Sequence, residues 1–396
     1  MGRFLRILLL ANAMNTLSGG DKRFVELGRR WAKLGHLVTV MTTPVGCEIC
    51  RKERLEATYF ILPFRFVDKF NQITCNLIRT LLASVIILKK NADVVYSTSD
   101  FLNDMLPALL LRRVVHWRSK LKWVALTFYL IPPPWRRKGE LVTNIVAYFL
   151  QRVSLLFFRV GPDLVITNTS LLRDELRRIG VAKPIEALPN GIDAESIKKT
   201  PASDRLSDAV FVARMKSSKG AFDAILVWEQ VCRRLRNAQL AMIGAGDVKT
   251  TRLLQNEIHK RNLESNVALL GFANSRTVYA LMKSSKLLIY MDTESGWGIT
   301  ICEAMGCGLP VIAYDLPAFR EVYGDAIDLV PIGDVRRFSK TVLNLLTNDD
   351  LRVRRAQKAR EAVQKYDWDQ IARDELLLLE KIQRLDGQGP RSSRCD

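Results

Sequence analysis

Apolar runs alternate with amphipathic stretches along this chain, and their lengths predict which segments are strands and which are helices. Residues 6–11 are an apolar run that predicts a buried strand, and residues 12–20 form a polar loop that contains glycine. Residues 22–34 repeat their apolar positions with helical spacing, and residues 37–41 predict a second strand. This strand–loop–helix–strand unit is the opening of a doubly wound α/β domain.

The same rhythm continues to about residue 330 and predicts strands in both halves of the 396-residue chain. In the first half we expect further strands at residues 93–96, 122–129 and 163–167. In the second half we expect strands at residues 209–213, 239–244, 267–270, 287–291, 311–314 and 326–330. A polar stretch at residues 193–207 separates the halves, so the sequence predicts two domains with their boundary there.

The charge of the chain is strongly and unevenly positive. The formal net charge is +19, and residues 1–195 carry 29 Lys and Arg against 16 Asp and Glu. Such an excess attracts polyanions such as nucleic acid, an anionic membrane or a phosphorylated substrate, or it forms only a solvated basic surface. Because the sequence has no nucleic-acid-binding motif, we expect an anionic membrane surface rather than nucleic acid as a partner.

Two apolar segments of the first half bear on the membrane question. Residues 76–88 are followed by two lysines, and residues 141–160 are interrupted by Gln151, Arg152 and Arg159. Neither is an uncharged run of the length that spans a membrane, so we expect no spanning helix. The short apolar run at the N-terminus predicts a strand rather than a signal peptide. The two segments are either helices that lie on a membrane surface or core helices of the first domain.

Seven cysteines are scattered along the chain, and neither their odd number nor their spacing indicates a disulfide framework. We therefore expect reduced thiols and a cytoplasmic protein. Cys47 and Cys50 form a lone CxxC pair, which is either part of an ordinary loop or a redox or metal site.

Residues 291–313 carry the most informative chemistry of the chain. Two carboxylates, Glu294 and Glu303, flank a Gly-Trp-Gly turn, and an apolar helix follows. Ligands of open α/β sheets bind where a strand ends and a helix begins, which is the predicted place of this turn. Its backbone N–H groups suit phosphate or sugar oxygens, and the carboxylates accept hydrogen bonds from hydroxyls. The segment therefore indicates a nucleotide-sugar site.

This segment resembles the signature of the retaining glycosyltransferases of the GT-B fold, family 4. That family has a Glu-Gly-Phe-Gly turn followed by Glu-Ala-Met, and the turn at residues 296–298 and Glu303-Ala304-Met305 match the pattern. The family spaces its two glutamates eight positions apart, whereas Glu294 and Glu303 are nine apart and Ser295 stands in the first slot. The Asn-Gly-Ile-Asp segment at residues 190–193 resembles a family segment as well.

The resemblance implies the architecture and the reaction. The implied fold is α/β of the GT-B type, with two Rossmann-like doubly wound domains that face each other across a cleft. We expect an acceptor-side domain at residues 1–195, a nucleotide-sugar-binding domain at 196–366, a C-terminal helix at 367–386 that packs on the first domain, and a polar tail at 387–396. The implied reaction is retaining sugar transfer from a nucleotide diphosphate sugar, with no metal and no cofactor required.

The matched positions also imply roles for single residues. Arg214 and Lys219 match the family's pair that grips the donor diphosphate, where fixed cations stabilise the charge on the leaving group. Glu303 would accept the ribose hydroxyls, and Glu294, or Ser295 in the shifted slot, would face the donor sugar. The residues predicted to be catalytic are Glu294, Arg214 and Lys219. Those predicted to bind the donor are Gly19, Gly20, Arg214, Lys219, Gly244, Gly296, Trp297, Gly298, Ile299 and Glu303.

The acceptor side is less marked in the sequence. Some relatives place a histidine after a strand of the first domain, where Phe128 and Tyr129 stand in this chain. Tyr129 and Asp100 are therefore the acceptor-side candidates, although Asp100 after its Ser-Thr-Ser turn is alternatively a simple cap.

We predict from these features a glycosyltransferase with a glycan or lipid-linked acceptor, in the cytoplasm and peripheral on the inner face of the membrane. One alternative is a basic binding protein on a degenerate glycosyltransferase scaffold. Another is a GT-B epimerase or phosphorylase. The sequence leaves the donor base, the sugar and the acceptor open.

Overall fold

The computed structural model describes residues 4–63, 72–88, 91–115, 121–137 and 141–384. The chain forms two compact units, each built around its own parallel sheet. The first unit combines residues 1–135, 141–190 and 368–396, and the second combines residues 136–140 and 191–367. The predicted polar tail at 387–396 lies outside the described residues, as do the last two residues of the predicted C-terminal helix.

The sheet of the first unit has seven strands that all pair in parallel. They are β1 (Arg6–Ala11), β2 (Leu37–Thr42), β3 (Thr58–Ile61), β4 (Val94–Ser97), β5 (Lys122–Leu126), β6 (Leu164–Thr167) and β7 (Ile185–Ala187). Their order in the sheet is β3-β2-β1-β4-β5-β6-β7, so the direction in which strands are added reverses between β1 and β4. Ligands of doubly wound sheets bind at such a switch point, outside the carboxyl ends of the strands.

Six α-helices in the described residues connect these strands. They are α1 (Gly19–Lys33), α2 (Pro44–Lys52), α3 (Gln72–Ile87), α4 (Leu102–Val115), α5 (Leu141–Val160) and α6 (Ser170–Arg178). Helix α1 begins three residues earlier than the sequence predicts because Ser18 and Asp21 form a capping box. Asp21 N donates to Ser18 Oγ at 3.3 Å, and Ser18 N donates to Asp21 Oδ2 at 2.9 Å.

The CxxC pair lies in helix α2, so the expectation of an ordinary loop there was wrong. The helix is capped by Thr43, whose Oγ1 accepts from Gly46 N at 2.9 Å, and its proline stands in the first turn, where proline is tolerated. Cys47 and Cys50 are both free and buried. Burial raises the pKa of Cys50 to about 12, so this thiol is unreactive at neutral pH.

The second unit has a six-stranded parallel sheet. Its strands are β8 (Ser207–Val212), β9 (Leu240–Ile243), β10 (Val267–Gly271), β11 (Ser285–Tyr290), β12 (Val311–Tyr314) and β13 (Asp328–Val330). The order is β10-β9-β8-β11-β12-β13, which puts the switch point of this sheet between β8 and β11. All six strands were predicted from their apolar runs, and the central strands β9 and β12 are buried along their whole length.

Eight α-helices belong to the described residues of the second unit. They are α7 (Ala194–Lys199), α8 (Ala221–Cys232), α9 (Val248–Lys260), α10 (Ser275–Lys283), α11 (Ile299–Gly306), α12 (Pro317–Tyr323), α13 (Val335–Thr347) and α14 (Asp349–Val363). Several begin at an Asp or Asn whose side chain accepts from a backbone N–H of the first turn, as Asp247 does from Thr250 N at 2.7 Å.

The last helix, α15 (Trp368–Arg384), belongs to the first unit and packs on α1. A fully buried ion pair joins the two helices, between Arg23 and Glu375, whose side chains are both 0% exposed. The Tyr96 hydroxyl on β4 donates to the same carboxylate. Arg23 Nη1 also donates to Asn190 Oδ1 at 3.0 Å, and Trp31 Nε1 donates to the carbonyl of Ala372 at 3.0 Å. These buried polar contacts fix α15 against the sheet.

Candidate functional site

Two loops meet at the switch point of the second sheet. One follows β8 and ends at Lys219 and Gly220, and the other follows β11 and runs through residues 291–298. Thr293 joins them, because its N–H and its Oγ1 both donate to the carbonyl of Ser218 at 3.0 Å. Gly220 has φ +74°, and a Cβ there would lie 2.3 Å from the carbonyl oxygen of Met291. Only glycine fits this approach, so the two loops pack backbone to backbone.

Lys219 is held to the loop after β11 by a buried carboxylate. Its Nζ donates to Asp292 Oδ2 and, at 3.4 Å, to the carbonyl of Glu294. Asp292 is 1% exposed and also accepts from Tyr290 OH at 3.2 Å and from Glu294 N at 3.0 Å. Burial raises the pKa of Asp292, and the Lys219 ammonium opposes that rise. Asp292 is not among the residues predicted from the sequence.

Glu303 lies in the second turn of α11 and is 7% exposed. Its Oε1 accepts a hydrogen bond from Tyr279 OH at 2.8 Å. The Tyr290 phenol donates to Asp292, the carboxylate that holds Lys219. Burial, the Asp292 charge and, to a smaller extent, the Glu303 charge raise the pKa of Tyr290 well above its usual value. The Glu303 charge therefore acts on the same tyrosine that bonds Asp292.

The Gly-Trp-Gly turn between them is anchored by its aromatic residue. The Trp297 ring is buried and packs edge-on against Tyr366, with 5.2 Å between ring centroids. Tyr323 OH donates to the carbonyl of Trp297 at 2.9 Å. Gly298 has φ +78° and precedes Ile299, the first residue of α11. The first N–H groups of that helix have no intrahelical acceptors, so they suit an oxyanion.

Gly244 and Arg214 lie at the ends of β9 and β8. Gly244 has φ +148°, and a Cβ there would lie 1.8 Å from the carbonyl oxygen of Ala213, so its backbone touches the residue before Arg214. The Arg214 side chain is exposed. It makes no ion pair or side-chain hydrogen bond with any residue in the described ranges. Arg214 thus lies in the loop that follows β8 and ends at Lys219, but no side-chain contact in the described ranges joins it to Lys219 or Glu303.

Glu294, which was predicted to face the donor sugar, is engaged by an arginine of its own unit. Arg137 Nη2 donates to Glu294 Oε2 at 2.7 Å, and Arg137 Nε donates to Oε1 at 3.0 Å. This planar two-point contact is the strongest form of the arginine–carboxylate pair. Its partner comes from residues 136–140, the short segment that groups with the second unit. The catalytic role of Glu294 stays a prediction.

A second site occurs in the first unit, again at the switch point of its sheet. A cavity of about 250 Å³ lies among the residues that follow β1, β4 and β5. Gly20, Asp100 and Tyr129, all predicted from the sequence, line it, and Gly19 precedes them at the start of α1. A Cβ on Gly20 would lie 3.3 Å from the ring of Phe128. Gly19 and Gly20 are therefore in the first unit, apart from the predicted donor residues of the second.

Gln151 of α5 joins the two acceptor-side candidates. Its Nε2 donates to Asp100 Oδ2 at 2.7 Å and to the carbonyl of Tyr129 at 2.8 Å, while its Oε1 accepts from Ile131 N at 2.7 Å. Thr127 Oγ1 also donates to Asp100, at 2.9 Å. Burial raises the pKa of Asp100 and these bonds lower it. Asp100 is thus part of a buried network and does not cap a helix with its side chain.

Asp104 is a further carboxylate of this cavity that the sequence analysis missed. It accepts from Asn12 N at 2.8 Å and from Ser99 Oγ at 2.5 Å. Burial raises its pKa to about 7 despite these bonds. Carboxylates and hydroxyls line the cavity. The carboxylates accept hydrogen bonds from the hydroxyl groups of a ligand, and the hydroxyls both accept and donate them.

Two family models match the chain. One is described as "Glycosyl transferases group 1" and matches residues 193–362, and the other is "Glycosyltransferase Family 4" and matches residues 17–196. Together they span residues 17–362.

Similar proteins carry related names. The phosphatidyl-myo-inositol mannosyltransferase of Mycobacterium leprae is 30% identical over 205 residues, which are 49% of this chain and 53% of that protein. The N-acetylgalactosamine-N,N'-diacetylbacillosaminyl-diphospho-undecaprenol 4-alpha-N-acetylgalactosaminyltransferase of Campylobacter jejuni is 28% identical over 242 residues, 60% of this chain and 64% of that protein. The chain thus spans about half the length of the first of these relatives and less than two thirds of the second.

Among solved structures, HepE of Anabaena in complex with UDP-glucose superposes with a TM-score of 0.74. The superposition covers 95% of this chain and 100% of that one, at 16% sequence identity. At this identity the likeness concerns the fold alone. It confirms the predicted α/β fold class with two Rossmann-like domains.

Proposed function

Because the chain belongs to the family 4 glycosyltransferases of the GT-B fold, we propose that it transfers a sugar from a nucleotide diphosphate sugar to an acceptor, with retention of the anomeric configuration. The proposed donor site is the switch point of the second sheet. Lys219 and the first turn of α11 supply positive charge and N–H donors for the diphosphate, and Glu303 supplies an acceptor for the ribose hydroxyls.

One observation carries this proposal. The loop of Lys219 and the loop of residues 291–298 pack backbone to backbone at the switch point, with the ammonium bonded to Asp292 and to the carbonyl of Glu294 in the second loop. A diphosphate that leaves during sugar transfer develops negative charge, and a fixed ammonium with oriented N–H groups stabilises that charge without a metal. The solved structure of HepE with UDP-glucose supports a nucleotide sugar as the class of donor.

We expect one nucleoside diphosphate to stabilise the protein against heat, and we expect Glu303→Gln to weaken that effect. A ligand that binds only the native state adds about 2.7 kcal/mol at a concentration of 100 times its Kd. Glutamine keeps an acceptor for Tyr279 but loses the charge that receives the ribose hydroxyls, so we expect about tenfold weaker binding. The measurement is a thermal melt with UDP, GDP, ADP and CDP in turn.

Asp350→Ala is the matched control, because this exposed acid in the first turn of α14 is outside the site. It should leave the nucleotide shift unchanged. Absence of stabilisation by every nucleotide would contradict the proposed donor. Stabilisation without release of nucleotide from any nucleotide sugar would favour the binding-protein alternative.

For the acceptor we propose a lipid-linked molecule. The two similar proteins are named for phosphatidyl-myo-inositol and for diphospho-undecaprenol, both of which carry a lipid. The cavity of the first unit, lined by Asp100 and Asp104, suits the hydroxyl groups of such an acceptor. Its lining within the described chain contains no lysine or arginine, so we expect it to take the neutral, hydroxylated part rather than a phosphate.

The outer faces of two helices in the first unit support a membrane location. On α5 exposed apolar residues recur at helical spacing at Val142, Ile145, Phe149, Val153, Leu156 and Val160, and Leu141 and Leu150 are exposed as well. On α3 they are Leu77, Leu81 and Val85. The two helices both pack on α4. Apolar stripes of this extent on a surface mark an interaction site.

The opposite face of α5 belongs to the fold. Among the described residues α5 is the one helix with the length and apolar composition of a membrane span. It connects β5 to β6, and Asn144, Gln151, Leu155 and Phe158 on its inner side are buried. Because Gln151 is bonded in the acceptor cavity, we propose that α5 stays in the fold and lies against the membrane surface.

We therefore propose a peripheral protein on the cytoplasmic face of the membrane. The first half of the chain carries the larger positive excess, which an anionic leaflet attracts. Arg113 on α4 and Arg159 on α5 are exposed near the apolar stripes. The six cysteines of the described chain are free, which suits a reducing compartment.

Replacing Phe149 and Val153 with aspartate is expected to reduce binding to anionic vesicles by at least about tenfold. Burying each side chain in the interface contributes roughly 1.5–3 kcal/mol, and a carboxylate is repelled by anionic lipid. Both positions are exposed, so the fold should tolerate the change. Flotation with vesicles of equal parts phosphatidylglycerol and phosphatidylcholine measures the effect.

The control is Val353→Asp, which places the same charge on an exposed apolar position of α14 in the second unit. It should float like the wild type. If the wild type stays in the soluble fraction at low salt, the membrane proposal is wrong. A stable dimer that dissociates on the α5 substitution would instead assign the stripe to a protein interface.

A further inference from the structure

We propose that Asp292 is a positioning residue for Lys219: it holds the ammonium at the diphosphate site and acts on the donor only through that side chain. This inference rests on the proposed function, because it concerns the same site. It adds a residue that lies outside the matched Arg, Lys and Glu positions. The Asp292 carboxylate accepts hydrogen bonds from three groups, which are Lys219 Nζ, Tyr290 OH and Glu294 N.

The burial of Asp292 excludes direct contact with a donor. The residue is 1% exposed, and its oxygens are already bonded on both sides, Oδ1 by Glu294 N and Oδ2 by Lys219 and Tyr290. Lys219, by contrast, keeps 20% of its side chain exposed. The lysine thus faces solvent while its counter-ion lies behind it. A ligand that enters the site reaches the ammonium and not the carboxylate.

Lys219 needs such a partner because its side chain is long and strongly hydrated. A free lysine at a surface carries about 2 kcal/mol of rotamer entropy, which binding would have to overcome. The pair with Asp292 and the bond to the Glu294 carbonyl restrict it before the donor arrives. Ordering the cation in advance is what makes its charge available to the transition state.

The same carboxylate also orders the loop of residues 291–298. It accepts a hydrogen bond from Glu294 N in the turn of residues 292–295. In the same turn, Thr293 Oγ1 donates to the carbonyl of Ser218, which belongs to the loop of Lys219. Asp292 therefore positions Lys219 and this turn at the same time. We infer that a neutral side chain at 292 leaves the loops in place, because the Thr293 bonds and the Gly220 contact remain, but releases the ammonium.

The test is a double-mutant cycle of wild type, Asp292→Asn, Lys219→Ala and the double variant. The assays are release of nucleotide from UDP-glucose and from GDP-mannose, and the Kd for UDP and for GDP. We expect Asp292→Asn to lower kcat about tenfold, the size of a lost hydrogen bond to a charged group. The Kd should change less than the kcat, because the variant loses order in Lys219 and also loses a negative charge that repels the diphosphate.

In the Lys219→Ala background the second substitution should have no further effect on kcat. If the two effects add, or if Asp292→Asn alone has the activity of the wild type, the inference is overturned while the proposed function stands. A thermal midpoint of Asp292→Asn well below that of the wild type would assign Asp292 to stability and also overturn it. If the wild type neither binds nor turns over any of these nucleotides and Lys219→Ala changes nothing, the proposed function itself fails.

Discussion

Lys219→Ala is expected to lower kcat/KM for sugar transfer by about 10²–10³-fold, which corresponds to about 2.7–4 kcal/mol of transition-state stabilisation. The ammonium is the cation that the structure fixes in the loop after β11, where Asp292 and the Glu294 carbonyl hold it. Its charge matters most when the diphosphate leaves, so we expect kcat to fall more than KM rises. The rate of nucleotide release from the nucleotide sugar measures both quantities.

A matched control exists at the other end of β8 and β11. Lys286 and Asp208 form a lysine–aspartate pair of 2.8 Å at the amino end of β11, opposite the end that carries the site. Lys286→Ala removes an ion pair of the same type and should leave kcat/KM unchanged. Lys219→Ala leaves Asp292 buried without its counter-ion, which destabilises the fold. The double variant Lys219→Ala with Asp292→Asn removes that buried charge, so it shows whether a loss of activity reflects misfolding. Normal turnover in Lys219→Ala would refute the proposed donor site.

Glu375→Gln is expected to destabilise the first unit by about 3–5 kcal/mol. The substitution keeps the volume of the side chain and an acceptor for Tyr96 OH, but it leaves the Arg23 guanidinium buried without a counter-ion. A buried charge that has lost its partner costs far more than a broken surface pair. The midpoint of urea unfolding, followed by circular dichroism, measures the loss.

Glu195→Gln is the control for this substitution. Glu195 pairs with Lys199 on the surface of α7, where both side chains are mostly exposed, and its loss should leave the urea midpoint unchanged. Adding Arg23→Met to Glu375→Gln removes both buried charges, so the double variant should lose less than the sum of the two single losses. A Glu375→Gln midpoint equal to that of Glu195→Gln would mean that α15 is held by its apolar face alone.

Much of the fold could be predicted because buried parallel strands are continuous apolar runs. The resemblance to the glycosyltransferase family, based on residues 291–313, is confirmed by the two family models. The strands β3 and β7 were not predicted, since they are short, lie at the two edges of the first sheet and are only partly buried. The helix α2 was missed because only nine residues form it and a proline and a glycine stand in its first turn.

Most of the residues predicted for the donor site lie in two loops of the second unit or in the helix that follows, and the sequence did not predict the contacts of these loops. Lys219 follows β8, and Trp297 and Glu303 follow β11, so all three lie at the switch point of the second sheet. Their donor roles stay predictions, as do those of Arg214 and Gly244. Glu294 is paired with Arg137, a residue 157 positions away in the chain that no local pattern marks.

The sequence by itself determined most of the strands and helices in their order, and the two α/β units. It could do so because apolar periodicity, glycine and caps act over a few residues. The tertiary structure decided which charged groups meet: Lys219 with Asp292, Arg23 with Glu375, and Gln151 with Asp100. These partners are 73, 352 and 51 positions apart. Such pairs form only when the sheet brings strand ends and helices together, so no short stretch of sequence contains them.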